Sequence, residues 1–183
     1  MSCRSAILID NFLDQSKFDN ISTKVAASTA YNTTTVQDLR DDLFTEVYTA
    51  VFDRLKEIGL HQPHFDESVK LFGYNQFRPA NEGYGNFNGP HFDHGGYVFY
   101  IHPHWDESWE GKIKITNADE EEYRNGIYAK PNRFIWIDPG TYHDVTTTAS
   151  NTTHARVANI AFLGGDIHID PSGTSFINIT TTT

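Results

Sequence analysis

Two histidines and one aspartate in this 183-residue chain have the types and spacing to hold one divalent metal ion. His91 and Asp93 flank Phe92, and His143 comes later in the chain, just after the turn signal Pro139-Gly140. Residues two apart in a strand point to the same face, so an extended segment would direct His91 and Asp93 at one ion. Two neutral imidazoles and a carboxylate leave coordination positions open, which suits oxygen-activating iron chemistry. The sequence therefore predicts a metal site formed by His91, Asp93 and His143.

Arg156 begins an apolar run that ends at Leu163 and is typical of a strand. In the two-residue period of a strand it shares a face with Ala158, Ile160 and Phe162, whose small or apolar character indicates a row directed at a core. A charge on such a face needs a partner. Because a planar guanidinium forms a bidentate pair with a carboxylate, the pattern predicts that Arg156 binds an acid such as a dicarboxylate.

The periodicity predicts an α+β chain, with helices in the N-terminal third and strands after them. Residues 16–28 have the periodicity of a helix, and apolar residues over 36–58 recur at three- and four-residue steps. Thr34 with Gln37 has the pattern of a capping box for the second helix, and Gly59 is a candidate stop. Short β-rich runs separated by turns follow from Val69 onward. These runs are 69–77, 97–102, 112–116, 133–137 and 156–163.

Strands at this spacing after two helices favour a double-stranded β-helix, the small jelly-roll core, with the N-terminal helices buttressing one sheet. No internal repeat or linker divides the chain. We therefore expect one domain over residues 1–183, helical over about 1–60 and β-helical over about 69–165. The Gly- and Asn-rich segment 81–90 precedes His91, and its permissive backbone suits either a lid or an ordinary surface loop.

Several stretches occur along the chain in an order that is more informative than any one of them. They are Ile9-Asp10-Asn11-Phe12-Leu13, His91-Phe92-Asp93, Tyr100-Ile101-His102 with Trp105, residues 109–115, residues 130–137, His143-Asp144-Val145 and Arg156. In this order, the region from about Ile7 to Leu163 resembles the Fe(II)- and 2-oxoglutarate-dependent dioxygenases, particularly their prolyl-hydroxylase-like branch. One departure is His102, which occupies the place of the family's Asn.

The resemblance implies an enzyme that hydroxylates a C–H bond of a peptide, protein or small-molecule substrate, prolyl hydroxylation included. It implies Fe(II) as cofactor, with 2-oxoglutarate and O2 as cosubstrates. By the same resemblance, His91, Asp93 and His143 would hold the iron. Arg156 would bind the distal carboxylate of 2-oxoglutarate, and Tyr100 would add a hydroxyl beside it.

Two other classes of function are open. His102 and His104 form a His-x-His pair after Gly96, which resembles a cupin metal site, although neither Glu107 nor Glu110 has the cupin offset. A cupin-type enzyme would bind its metal through these two histidines. A non-catalytic jelly-roll binding protein would bind no iron.

Composition limits the expected partners and compartment. The formal net charge is −10 and Lys and Arg do not cluster, which argues against a nucleic-acid substrate. The single cysteine, Cys3, excludes an intramolecular disulfide, and no apolar stretch has the character of a signal peptide or the length of a membrane span. We therefore expect a cytoplasmic protein that acts on a peptide, a protein or a small molecule, without a membrane or nucleic-acid partner.

Overall fold

A computed structural model describes residues 6–59, 72–81, 95–116, 118–138 and 141–162. The first elements are β1 (Ala6–Ile9), α1 (Gln15–Ala27), β2 (Gln37–Leu39) and α2 (Asp42–Glu57). The elements that follow are β3 (Phe72–Arg78), β4 (Gly96–Tyr100), β5 (Ile113–Ile115), α3 (Glu121–Asn125), β6 (Phe134–Ile137), β7 (His143–Val145) and β8 (Arg156–Phe162).

The strands form two antiparallel sheets. The larger has six strands in the order β1-β6-β4-β8-β3-β2, and β5 pairs with β7 in the smaller one. In the register of the larger sheet, Arg156 lies opposite Arg78, whereas Gly96 lies opposite Phe162. Arg156 and Gly96 are therefore at opposite ends of β8. The helix content and the antiparallel sheets agree with the predicted α+β class.

Helices α1 and α2 cover one face of the larger sheet. Alternate strand residues on this face are buried together with the apolar stripes of the helices. The main contributors are Phe77, Phe99, Phe134 and Val157 from the strands and Phe18, Ile21, Val47 and Val51 from the helices. Phe12, just before α1, stacks on Phe134 with 4.4 Å between ring centroids. The helices thus pack outside one sheet, as the sequence predicts.

The opposite face of the larger sheet packs against the smaller sheet. Tyr100, Ala158 and Ile160 from the larger sheet form one buried cluster with Ile113 and Val145 from the smaller one. The predicted row directed at a core is therefore observed for Ala158 and Ile160, and the two sheets enclose an interior.

The second helix begins later than predicted, and the proposed capping box is wrong. Residues Gln37–Leu39 instead form β2, which pairs with β3 along the sheet edge. Helix α2 starts at Asp42, where the carboxylate of Asp41 accepts a hydrogen bond from the Phe44 amide at 3.0 Å. Backbone pairing to a neighbouring strand therefore outweighs the helical periodicity before Asp42. Gly59 does end the helix, with a left-handed φ of 71°.

Each predicted β-rich run contains a strand, although the bounds shift by a few residues. The short strands β2 and β7 were not predicted. Each has three residues, and neither lies within a longer β-rich run. Among the helices that the structure describes, none has the length and apolar character needed to cross a bilayer.

Candidate functional site

His143 is the first residue of β7, and its side chain is buried between the two sheets. Its Nδ1 lies 3.0 Å from the carbonyl oxygen of Thr141. A carbonyl oxygen only accepts hydrogen bonds, so Nδ1 carries the ring proton. In the neutral ring, Nε2 then has the lone pair that can coordinate a metal ion, and the backbone contact fixes the orientation of the ring.

Arg156 is buried at the start of β8, with 2% of its surface exposed. Its Nη1 donates to the carbonyl oxygen of Gly111 at 2.7 Å, and its Nη2 donates to Oε1 of Gln76 at 3.5 Å. The guanidinium carbon lies 5.8 Å from the centroid of the Tyr100 ring. These three neighbours are neutral, so they orient the guanidinium without cancelling its charge.

Tyr100 lies beside Arg156 on the inward face of the larger sheet. The side chain is fully buried, and its hydroxyl has no hydrogen-bond partner among the described residues. Burial raises the pKa of Tyr100, although Arg156 opposes the change. The phenol is therefore neutral and can donate a hydrogen bond. A buried donor next to a cation suits a ligand carboxylate.

One narrow cavity connects His143 with Arg156. Its volume is about 40 Å³, and its walls are mainly apolar. The lining residues are Gln76, Gly96, Tyr97, Val98, Ile113, Ile137, His143, Val145, Arg156 and Ile160. One water molecule needs roughly 10–15 Å³ of such a cavity, so this cavity has room for about three water molecules. A longer ligand would have to displace side chains along the walls.

Of the five residues predicted from the sequence, the structure places His143 and Arg156 on one cavity and Tyr100 beside Arg156. The other two, His91 and Asp93, lie outside the described residues, as does most of the predicted lid segment. Within the described ranges, no group of three His, Cys, Asp or Glu side chains is arranged to hold a metal ion.

Sequence reasoning missed Gln76, which lines the cavity and contacts Arg156. It lies in β3 on the same inward row as Tyr74 and Arg78. A buried amide in a mainly apolar cavity wall was a usable signal, but only once the inward face of β3 was known.

The geometry does not support a metal site at His102 and His104. His102 is fully buried, and its Nε2 donates to the carbonyl oxygen of Ala129 at 2.8 Å. Its Nδ1 accepts a hydrogen bond from the Val157 amide at 3.1 Å. Both ring nitrogens of His102 therefore bind the backbone. His104 is exposed and lies edge-on to Trp109.

Replacing His102 by Asn is expected to flatten the dependence of stability on acid pH. Burial lowers the pKa of His102 from 6.5 to about 4. As pH falls from 6.5 to 4, the unfolded chain binds the proton first, so this contribution is present above pH 6.5 and lost towards pH 4. The wild type should lose about 3 kcal/mol in this window from His102.

Denaturant unfolding of both proteins at steps of pH measures this effect. The free energy of unfolding is plotted against pH for each protein. Subtracting the His102→Asn curve from the wild-type curve removes the contribution of the carboxylates that both proteins share. Parallel curves between pH 6.5 and 4 would show that His102 is not buried as a neutral imidazole.

Comparison with known proteins identifies the fold. No family model and no curated protein sequence matches the chain. Among solved structures, a prolyl-4-hydroxylase from Pseudomonas putida superposes with a TM-score of 0.56 at 13% identity, covering 87% of this chain and 92% of that one. HygX from Streptomyces hygroscopicus, with nickel and 2-oxoglutarate bound, superposes with a TM-score of 0.56 at 9% identity. The match covers 90% of this chain and 84% of that one.

A third similar structure is a prolyl hydroxylase from Trichoplax adhaerens in complex with a peptide of the hypoxia-inducible factor oxygen degradation domain. Its TM-score is 0.53 at 13% identity, and the match covers 87% of this chain and 83% of that one. Identities this low establish the fold alone. The chain has the fold of the 2-oxoglutarate-dependent oxygenases.

Proposed function

We propose that this protein is an Fe(II)- and 2-oxoglutarate-dependent dioxygenase that hydroxylates a C–H bond. The observation that carries the proposal is that His143, with Nε2 able to bind a metal ion, and the buried cation Arg156 line the same cavity. A cosubstrate that chelates a metal and also carries a distal carboxylate needs both features in one space.

The iron would be held by His91, Asp93 and His143. Asp93 is three residues before Gly96, which lines the same cavity as His143. Two neutral imidazoles and a carboxylate form the donor set that non-haem iron uses. Iron bound there with 2-oxoglutarate and O2 would supply the oxidation of the C–H bond.

The distal carboxylate of 2-oxoglutarate would bind Arg156 and the hydroxyl of Tyr100. Both groups are buried, which strengthens a charge-assisted hydrogen bond relative to one in water. The raised pKa of Tyr100 supports this role, because an anion requires a protonated donor. Along the cavity, Ile113, Ile137 and Ile160 would exclude water from the chain of the cosubstrate.

We also propose that the two sheets form a double-stranded β-helix within one domain over residues 1–183. Its helical part would cover about 1–60 and its β-helical part about 69–165. The single buried cluster shared by the inner faces of both sheets supports this arrangement. The helices packed on the outer face of the larger sheet support it as well.

The proposed substrate is a peptide, a protein or a small molecule, and prolyl peptides are the first to test. Two of the similar structures are prolyl hydroxylases, one of them in complex with a peptide. The net charge of −10 favours a neutral or basic substrate. Incubating the protein with Fe(II), 2-oxoglutarate, O2 and proline-containing peptides should give succinate and a peptide 16 Da heavier. Substrate oxidation that proceeds unchanged without 2-oxoglutarate would overturn the proposal.

Replacing Gly111 by Ala is expected to weaken 2-oxoglutarate binding through Arg156. Gly111 has a left-handed φ of 68°, and a Cβ there would lie 3.2 Å from Cδ of Arg156. The left-handed backbone alone should cost about 1–2 kcal/mol of folding stability. The new methyl group should also displace the guanidinium and raise the Kd for 2-oxoglutarate severalfold, as titration would measure.

The matched control for this prediction is Gly126→Ala. Gly126 also has a positive φ, of 122°, but a Cβ there would meet Lys112 instead of Arg156. We expect a loss of stability without a change in 2-oxoglutarate affinity. Equal affinities in the Gly111 and Gly126 variants would contradict the prediction.

A further inference from the structure

Gln76 is a buried amide in the wall of the proposed cosubstrate cavity. It lies in β3, opposite Ala158 of β8 on one side and Asp38 of β2 on the other. Only 7% of its surface is exposed, and it lines the cavity beside Arg156. Burying an amide costs free energy unless its polar atoms are hydrogen-bonded, so its contacts should explain its presence.

Both polar atoms of the Gln76 side-chain amide contact charged groups. Oε1 accepts from Nη2 of Arg156 at 3.5 Å, and Nε2 donates to Oδ1 of Asp38 at 3.4 Å. A flipped amide would place its NH₂ group against the guanidinium and its oxygen against the carboxylate. The two charges therefore fix the orientation of the amide, and Gln76 connects the edge strand β2 to Arg156.

Two hydrogen bonds of Arg156, one from Nη1 and one from Nη2, differ in length. Nη1 is held at 2.7 Å by the carbonyl oxygen of Gly111, whereas the contact of Nη2 with Gln76 is at the long limit of a hydrogen bond. A carboxylate entering the cavity can thus replace the weaker contact while Nη1 keeps its backbone partner. Because the amide is neutral, it orients Nη2 without neutralising the positive charge that the carboxylate requires.

We propose that Gln76 is a positioning residue that holds Arg156 ready for the distal carboxylate of the cosubstrate and so contributes to selectivity for a diacid. The proposal rests on the function proposed above. It explains why an amide suits position 76. A carboxylate there would pair with Arg156 and compete with the ligand, and an aliphatic side chain would leave Nη2 less well oriented.

The test compares Gln76→Glu and Gln76→Leu with the wild type. Each protein is loaded anaerobically with Fe(II) and titrated with 2-oxoglutarate and with 2-oxopentanoate, which has the same carbon chain without the distal carboxylate. We expect Gln76→Glu to raise the Kd for 2-oxoglutarate at least tenfold and Gln76→Leu to raise it about threefold. The Kd for 2-oxopentanoate and the affinity for Fe(II) should stay within twofold of the wild type.

Gln37→Glu is the matched control, because it makes the same change on the adjacent edge strand, where Gln37 bonds Thr33 instead of Arg156. It should bind 2-oxoglutarate as the wild type does. Gln76→Leu introduces no buried charge, so it keeps the test valid if Gln76→Glu does not fold.

The outcomes separate the two proposals. A wild type that binds 2-oxoglutarate, with position-76 variants that bind it equally well, overturns the role of Gln76 and leaves the proposed function standing. Equal weakening for 2-oxoglutarate and 2-oxopentanoate also overturns it, since that result indicates only a structural role. A folded, iron-loaded wild type that binds no 2-oxoglutarate overturns the proposed function and the role of Gln76 with it.

Discussion

His143→Ala is expected to weaken Fe(II) binding strongly and to lower every activity that depends on the iron. The imidazole lies inside the cavity, and the Thr141 carbonyl fixes the tautomer that presents Nε2 to a metal ion. Changing groups that merely orient metal ligands lowers affinity by about 10- to 100-fold. Loss of a ligand should therefore lower Fe(II) affinity on the order of 100-fold or more, as anaerobic metal titration would measure.

The matched control is His104→Ala, which removes an exposed imidazole from the His-x-His pair. We expect it to leave Fe(II) binding unchanged. Thermal unfolding of both variants would establish that they are folded. Iron binding that survives in His143→Ala and disappears in His104→Ala would favour the cupin-type site instead.

Arg156→Met is expected to remove most of the affinity for 2-oxoglutarate while Fe(II) still binds. Methionine keeps a long apolar side chain in the wall and removes the buried charge that would pair with the distal carboxylate. Truncating one partner of a buried charge pair costs about 2–5 kcal/mol, so the Kd should rise on the order of 100-fold. Arg156→Lys keeps the positive charge but loses the planar guanidinium that can form a bidentate pair. Its Kd for 2-oxoglutarate should lie between those of the wild type and Arg156→Met.

Arg133→Met is the matched control for this second prediction. Arg133 pairs with Asp10, with 2.6 Å between Nε and Oδ1. Arg133 lowers the pKa of Asp10 through this contact, and it opposes the raised pKa of Tyr100 less than Arg156 does. This variant should lose some folding stability and keep its affinity for 2-oxoglutarate. An Arg156→Met protein that binds 2-oxoglutarate like the wild type would show that the carboxylate binds elsewhere.

The candidate site residues were predicted from local pattern and chain order. Arg156 was identifiable because a charge in an inward row of a strand is unusual, and the described structure places it in the same cavity as His143. The metal-ligand roles of His91 and Asp93 stay predictions, because those residues lie outside the described ranges.

Features that depend on distant pairing could not be predicted from the sequence. The β2 segment has helical periodicity, yet its register with β3 decides its structure. The role of His102 was equally inaccessible, since its backbone partners come from Ala129 and Val157, far away in the chain. Gln76 matters only because β3 brings it beside Arg156, and a single amide in a strand has no spacing that would reveal this.

The most direct test of the central proposal is anaerobic addition of Fe(II) and 2-oxoglutarate to the folded protein, followed by visible absorption. A chelate of 2-oxoglutarate on iron bound by His143 and its partners predicts a weak charge-transfer band that requires both components. The band should be absent in His143→Ala, and in Arg156→Met it should appear only at much higher 2-oxoglutarate concentration. Folded wild-type protein that shows no band at saturating concentrations of both components would contradict the proposed function.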